Sequence, residues 1–189
     1  RSRGLGDVYK RQIMDRLTSD VHFILNPDVI IHDDILPQMA QWLLDHPGVV
    51  MATPQLYFPD GRIQNLPRRK PTPWLLLARQ LAPRFGGVMQ KADEHYTMQD
   101  EDLTIPRPIE FCTGSFAAIR TDVFKTIGGF DPEYFMYVED ADLTQKMRTR
   151  GKAYLVPQYT AIHAWHRAAH RSLKPFLWQL RSLLRYFSK

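Results

Sequence analysis

Three carboxylates, Glu139, Asp140 and Asp142, stand together at the start of an expected helix, directly behind the aromatic run Tyr134-Phe135-Met136-Tyr137. Like charges this close repel, so the cluster costs stability unless a cation, a hydroxyl or the positive end of the helix relieves it. A cost of that kind points to a working site. Asp140, in the first helical turn, is expected to stay ionised at neutral pH because the helix dipole favours its charge, which suits it to accept the proton of an attacking sugar hydroxyl. Glu139 and Asp142 lie three apart on one face. Glu139 is placed with Asp140 as a catalytic candidate, and Asp142 is assigned to a substrate hydroxyl or a nearby basic group. The plain alternative is three solvated acids that favour a helix start.

A second candidate lies far upstream, where the apolar run Val21 to Leu25 is broken by Asn26-Pro27-Asp28. Pro27 fixes the turn and aims Asp28 outward, past the end of a buried strand, where open α/β sheets bind ligands. A hard divalent cation, Mg2+ or Mn2+, that holds a diphosphate needs only one or two protein carboxylates. His163 could join Asp28 on such an ion. His166 and His170 follow at spacings of three and four, but read equally well as basic-loop residues beside Arg167 and Arg171. Gly114-Ser115 reads as a close backbone approach, too poor in glycine to be a phosphate loop. Asn26, Gly114, Ser115, Tyr137 and Asp142 are the candidate substrate-binding residues, Asp28 and His163 the metal candidates.

Positioning these groups requires an alternation of strands and helices. Val21 to Leu25 reads as a strand, and Asp33 or Asp34 caps a helix with Leu36, Met39, Ala40, Leu43 and Leu44 at helical spacing, stopped by His46-Pro47-Gly48. Val49 to Ala52 is a second strand, and Phe58 to Arg62 a turn. From Leu66 to Pro106, prolines and a polar stretch from Gln90 to Asp102 predict an irregular excursion, with one helix over Trp74 to Leu81. Phe116 to Ile119 is a strand, followed by a short helix capped by Thr121 or Asp122 that ends at Gly128-Gly129. A helix over Glu139 to Arg150 turns Leu143 and Met147 inward and is terminated by Gly151. Ala153 to Val156 and Tyr159 to Ile162 are strands on either side of Pro157. The pattern is α/β.

Composition bounds the rest. The 189 residues suffice for one domain with a proper core, at 44% hydrophobic and 24% charged. The single cysteine, Cys112, excludes an intrachain disulfide and suits a reducing, cytoplasmic setting. No apolar run approaches the ~18 residues of a membrane span. Residues 1–12, basic and without periodicity, are read as a non-native tail, and residues 13–171 as the domain that carries the candidate residues. Residues 172–189 predict an amphipathic helix with a polar face of Lys174, Arg181, Arg185 and Lys189. It either lies peripherally in an anionic membrane interface or packs on the domain.

Leu25-Asn26-Pro27-Asp28, Thr113-Gly114-Ser115-Phe116-Ala117-Ala118-Ile119-Arg120 and the run from Gly128-Gly129-Phe130-Asp131-Pro132 through Val138-Glu139-Asp140-Ala141-Asp142-Leu143 together resemble family 2 glycosyltransferases, in their rhamnosyltransferase-like branch. The resemblance implies a GT-A fold and inverting transfer of a sugar, rhamnose among the candidates, from a nucleotide-diphosphate sugar with a divalent metal. The acceptor would be a saccharide or a lipid-linked sugar of bacterial surface polysaccharide. By the same resemblance Asp28 matches the metal-binding aspartate, Asp140 the general base, and His163 the histidine that can join the metal. Nothing here matches the strand-turn-helix half with which members begin and bind the nucleotide base. The expectation is therefore an incomplete GT-A domain with a parallel sheet, inactive alone and prone to associate. Two rivals are a carbohydrate- or lipid-binding module without turnover, and a nucleic-acid binder. The second is disfavoured because the net charge of +5 is modest and the acidic cluster would repel phosphates.

Overall fold

The computed structural model describes residues 14–134, 138–164 and 173–189; the expected tail, Tyr137, His166 and His170 lie outside them. In chain order the elements are β1 (Val21–Leu25), β2 (Val29–Ile30), α1 (Ile35–Asp45), β3 (Val49–Tyr57), β4 (Ile63–Gln64), α2 (Pro73–Phe85), α3 (Gly87–Tyr96), β5 (Arg107–Ile109), β6 (Phe116–Arg120), α4 (Thr121–Thr126), α5 (Glu139–Arg148), β7 (Lys152–His163) and α6 (Leu173–Phe187). One sheet runs β1-β6-β3-β7-β2, with β4 beside β3 and β5 beside β7.

The sheet is mixed, which corrects the expectation of a parallel one. Among the described residues only β3 and β7 pair in parallel; β6 lies antiparallel to both β1 and β3. Helical crossovers leave β1, β3 and β7 running the same way, while β6 follows the long excursion and enters from the opposite end. As a result the C-terminal ends of β1 and β7 and the N-terminal end of β6 open on one edge of the sheet. Asp28, His163 and Ser115 are all delivered there. Among the described residues β1 pairs only with β6.

Alternation along the strands splits the core into two layers. Ala117 and Ile119 of β6, with Met51 of β3, face Leu143 and Met147 of α5. Phe116 and Ala118, with Ala52, face Ile35, Met39 and Leu43 of α1. Arg120 ties α1 to the sheet: its Nε donates to the Val49 carbonyl at 2.8 Å and its Nη2 to that of Leu43 at 2.7 Å.

Several elements differ from the expectation for identifiable reasons. The excursion is largely helical: Thr72 caps α2 by accepting from the Leu75 amide at 3.2 Å, Pro73 occupies the first turn, and Gly86 at φ 54° separates α2 from α3. The sequence of α3 is polar overall, so a reading led by apolar residues hid it. β7 is one strand rather than two. It carries a register shift after the Pro54–Val156 pair, so that Gln55 next meets Thr160, because Pro54 and Pro157 cannot both sit in an unbroken ladder. At α4, Thr121 is the first helical residue and its hydroxyl meets His22 Nδ1 at 3.0 Å instead of capping. At α1, Asp34 takes the cap position without a side-chain cap bond.

Gly151 does not cap α5, which closes at Thr149 in ordinary right-handed geometry. Its role is steric. A Cβ there would lie 2.5 Å from Val50 Cγ1 and 3.0 Å from the Gly48 carbonyl oxygen, which belongs to backbone and cannot swing away. Gly151→Ala is therefore expected to destabilise the fold by about 1–3 kcal/mol, the usual range for overpacking. A denaturant midpoint unchanged from wild type would contradict this packing role.

Candidate functional site

The site forms where three backbone segments meet. Asn26, in the turn after β1, donates its amide to the Ser115 carbonyl at 2.9 Å, and the Val29 amide closes the turn on the Asn26 carbonyl at 3.1 Å. The Ala164 amide donates to the Asp28 carbonyl at 3.0 Å, which joins the same turn to the end of β7. Next to Ser115, the Gly114 amide donates to Asp140 Oδ2 at 3.0 Å. A Cβ on Gly114 would stand 3.4 Å from Asp140 Cβ, so the bare glycine is what admits the carboxylate. Thr144, one turn along α5, clamps the same segment: its hydroxyl accepts from the Cys112 amide at 3.2 Å and donates its one proton to the Asp140 carbonyl at 2.7 Å, with the Cys112 carbonyl a longer alternative at 3.2 Å.

Asp140 and Glu139 line a cavity of about 1130 Å3 together with Asn26, Thr113, Gly114, Ser115 and His163. Burial raises the Asp140 carboxyl to about 6, the neighbouring charge of Glu139 adds to the rise, and the Gly114 and Ala141 amides oppose it. This corrects the expectation that the helix dipole governs Asp140. Desolvation outweighs it, although the group is still mostly ionised at neutral pH. Val138, which caps α5, sits at φ 67°, an uncommon backbone state for a β-branched residue. Glu139 Oε2 is buried and finds no hydrogen-bond partner among the described residues.

His163 is buried and faces Asp28, with Nε2 3.3 Å from Asp28 Oδ1. Gln64, which the sequence reading passed over, determines how it does so. Its amide nitrogen donates to the His163 and Tyr57 carbonyls, at 2.6 and 3.4 Å, so its Oε1 must be the atom 2.9 Å from His163 Nδ1. Nδ1 therefore carries a proton, and Nε2 is the nitrogen turned toward the Asp28 carboxylate. Gln64 has the orienting role that metal-bound histidines require, and a cation between Nε2 and the carboxylate would be held by both groups. Among the described residues no group of three or more His, Cys, Asp or Glu side chains could hold a metal. An ion here would take two protein ligands and complete its shell from a substrate.

The remaining candidates divide. Ser115 is buried, with its hydroxyl 3.0 Å from that of Thr113. Asp142 does not join Glu139 and Asp140 at the cavity. It points toward α6, where it accepts from Tyr134 at 3.4 Å and pairs with Lys189, the nearby basic group that the spacing allowed for. Arg185 and Lys189 also bind Asp131, at 2.9 Å each, so the basic residues at the end of α6 face the protein, not outward. Tyr186 is buried there, while Leu180, Leu184 and Phe187 are exposed. No helix among the described residues is long and apolar enough to cross a membrane.

Comparison with known proteins agrees with this architecture. No family model matches the chain. It is 39% identical over 175 residues to the rhamnosyltransferase WbbL of Escherichia coli (strain K12), covering 90% of this chain and 62% of that protein. It is 28% identical over 164 residues to the N-acetylglucosaminyl-diphospho-decaprenol L-rhamnosyltransferase of Mycobacterium tuberculosis, covering 78% of this chain and 51% of that one. The chain thus spans between half and two thirds of the curated relatives it matches. In fold it is similar to GalNAc-T7, solved with UDP, GalNAc and Mn2+, at a TM-score of 0.58 and 15% identity over 98% of this chain and 34% of that one. The resemblance to rhamnosyltransferase-like glycosyltransferases is borne out, and the fold is that of a partial GT-A domain.

The raised Asp140 carboxyl has a consequence for stability. A carboxyl whose folded value lies above its unfolded 3.8 binds its proton more tightly when folded, so this stabilisation is full below pH 3.8 and is lost as pH rises through about 6. Asp140→Asn should therefore be more stable than wild type at pH 7.5, by on the order of 1–2 kcal/mol, with the advantage gone at pH 4. The estimate allows for the one acceptor oxygen that asparagine gives up. Unfolding at both pH values checks it, and a variant less stable than wild type at pH 7.5 would contradict it.

Proposed function

We propose that this chain is the metal- and acceptor-binding part of an inverting glycosyltransferase, with a rhamnosyl group the best-supported sugar. The observation that carries the reading is the Asp140 carboxylate, held 3.0 Å from the Gly114 amide at the wall of the cavity that His163 also lines. In one displacement the acceptor oxygen bonds to the anomeric carbon and the bond from that carbon to the diphosphate oxygen breaks. The nucleoside diphosphate departs with the electron pair. Asp140 takes the acceptor's hydroxyl proton, and a carboxylate near 6 is well matched to that task at neutral pH. Gly114 holds the base in place, and Glu139 keeps its proton affinity up.

Asp28 and His163 would hold a divalent ion, Mg2+ or Mn2+, which when bound neutralises charge on the donor's diphosphate. Similarity to the two rhamnosyltransferases supports a nucleotide-sugar donor and a saccharide or lipid-linked acceptor. A peripheral membrane contact would rest on the exposed Leu180, Leu184 and Phe187, because Arg185 and Lys189 are engaged in ion pairs.

Two variants of the complete protein test this. Asp28→Ala should lose metal-dependent binding of the nucleotide sugar. Asp140→Asn should keep that binding and lose roughly 10²-fold or more in turnover, the scale of general-base catalysis. Donor affinity unchanged in the first, with and without Mn2+, would overturn the metal assignment. Near-wild-type turnover in the second would overturn the base.

A further inference from the structure

Arg68 is only 6% exposed, yet it lines the cavity. Its Nη1 donates to the Asn65 and Pro67 carbonyls, and among the described residues no carboxylate comes within ion-pair distance of it. Arg79 of α2 lines the same cavity, also without an ion-pair partner among the described residues. Both guanidinium groups lie 5.8 Å from the centre of the buried Tyr96 ring. The neighbouring Arg69 shows that acids are available close by, since it pairs with Asp100 at 2.7 Å and Glu101 at 3.0 Å. Among the described residues, then, Arg69 is neutralised while the two cavity-lining arginines have no carboxylate at ion-pair distance.

A buried guanidinium with no carboxylate at ion-pair distance is costly to keep. Burial, and then the like charge of Arg79, lower Arg68 to about 10, with Tyr96, Asp93 and Asp140 opposing. A forked donor held against an aromatic ring suits a phosphate, which it can bind through two parallel hydrogen bonds. Placement favours one side of the cavity. The Glu110 and Phe111 amides donate to the Arg68 carbonyl, at 3.0 and 2.9 Å, so Arg68 borders the segment that leads to Gly114 and Asp140.

We propose that Arg68 and Arg79, joined through Tyr96, form an anion subsite for a phosphate or diphosphate group carried by the acceptor. The inference rests on the transferase reading above, in which the donor's diphosphate lies at Asp28 and His163. An acceptor sugar borne on a diphosphate would then present its hydroxyl to Asp140 while its anionic group meets the two arginines.

The test is calorimetric binding to the complete protein of two probes. One is a short-chain alkyl diphosphosugar in EDTA; the other is a panel of nucleoside diphosphates with Mn2+. Arg79 is exposed, so Arg79→Gln should fold normally, and Arg68→Lys serves as the variant that keeps the buried charge. Arg79→Gln is expected to weaken the alkyl diphosphosugar about tenfold or more, as loss of a charge-assisted contact does, and to leave the nucleoside diphosphate unchanged. Arg68→Lys should weaken it less, because the charge stays while the fork is lost. Unchanged binding of the alkyl diphosphosugar in Arg79→Gln would overturn the proposal. Weakening confined to the nucleoside diphosphate would also overturn it and give the arginines to the donor. Asp28→Ala, titrated alongside with Mn2+ and nucleoside diphosphate, reports separately on the transferase reading.

Discussion

The site depends on a short relay of backbone hydrogen bonds. Asn26 donates to Ser115, and the adjacent Gly114 donates to Asp140, so the turn that carries Asp28 and the helix that carries Asp140 are both referenced to one two-residue segment ahead of β6. The bond from the Cys112 amide to the Thr144 hydroxyl fixes α5 against the same segment one turn further on. Because β6 runs against β1, β3 and β7, its N-terminal end meets their C-terminal ends, and the relay can close across one edge of the sheet. Antiparallel insertion of β6 is what brings residues more than a hundred positions apart into one site.

Closing the relay stores unfavourable terms around α5. Val138 adopts a left-handed backbone, Glu139 Oε2 and Asp142 Oδ2 are buried without hydrogen-bond partners among the described residues, and Asp140 is pushed up to about 6. Costs of this kind persist where the surroundings over-determine the geometry. Here Met147 and Leu143 anchor the helix in the core, and Asp142 is compensated on its other oxygen by Lys189. α6 thus relieves the third acid of the cluster, leaving Glu139 and Asp140 to face the cavity.

Much of this was legible in the sequence. Periodicity gave β1, α1, β6 and the inner face of α5, and the carboxylates behind the aromatic run pointed to the site itself. What escaped was context. Strand direction cannot be read from an apolar run, so the mixed sheet was missed. The sign of the shift on Asp140 depends on how deeply α5 is packed, which a helix-dipole argument does not contain. Gln64 looks like an ordinary polar strand residue, and only the fold reveals that its amide is fixed by two carbonyls and so determines the face His163 presents. Arg68 adjoins Arg69 and Lys70 in the sequence and nothing there sets it apart, although among the described residues Arg69 pairs with acids and Arg68 does not. The apolar pattern of the last helix was visible, but not that Arg185 and Lys189 would turn inward to Asp131 and Asp142.

The central claim is that burial against Gly114, with Glu139 alongside, sets Asp140 near neutrality as the proton acceptor of the site. The most direct measurement is a carbon-detected NMR titration of the Asp140 carboxyl, followed together with the Gly114 amide proton that it accepts. The account predicts a midpoint of about 6, shared by both signals. A midpoint at the ordinary 3.8, or a Gly114 amide indifferent to the titration, would contradict it.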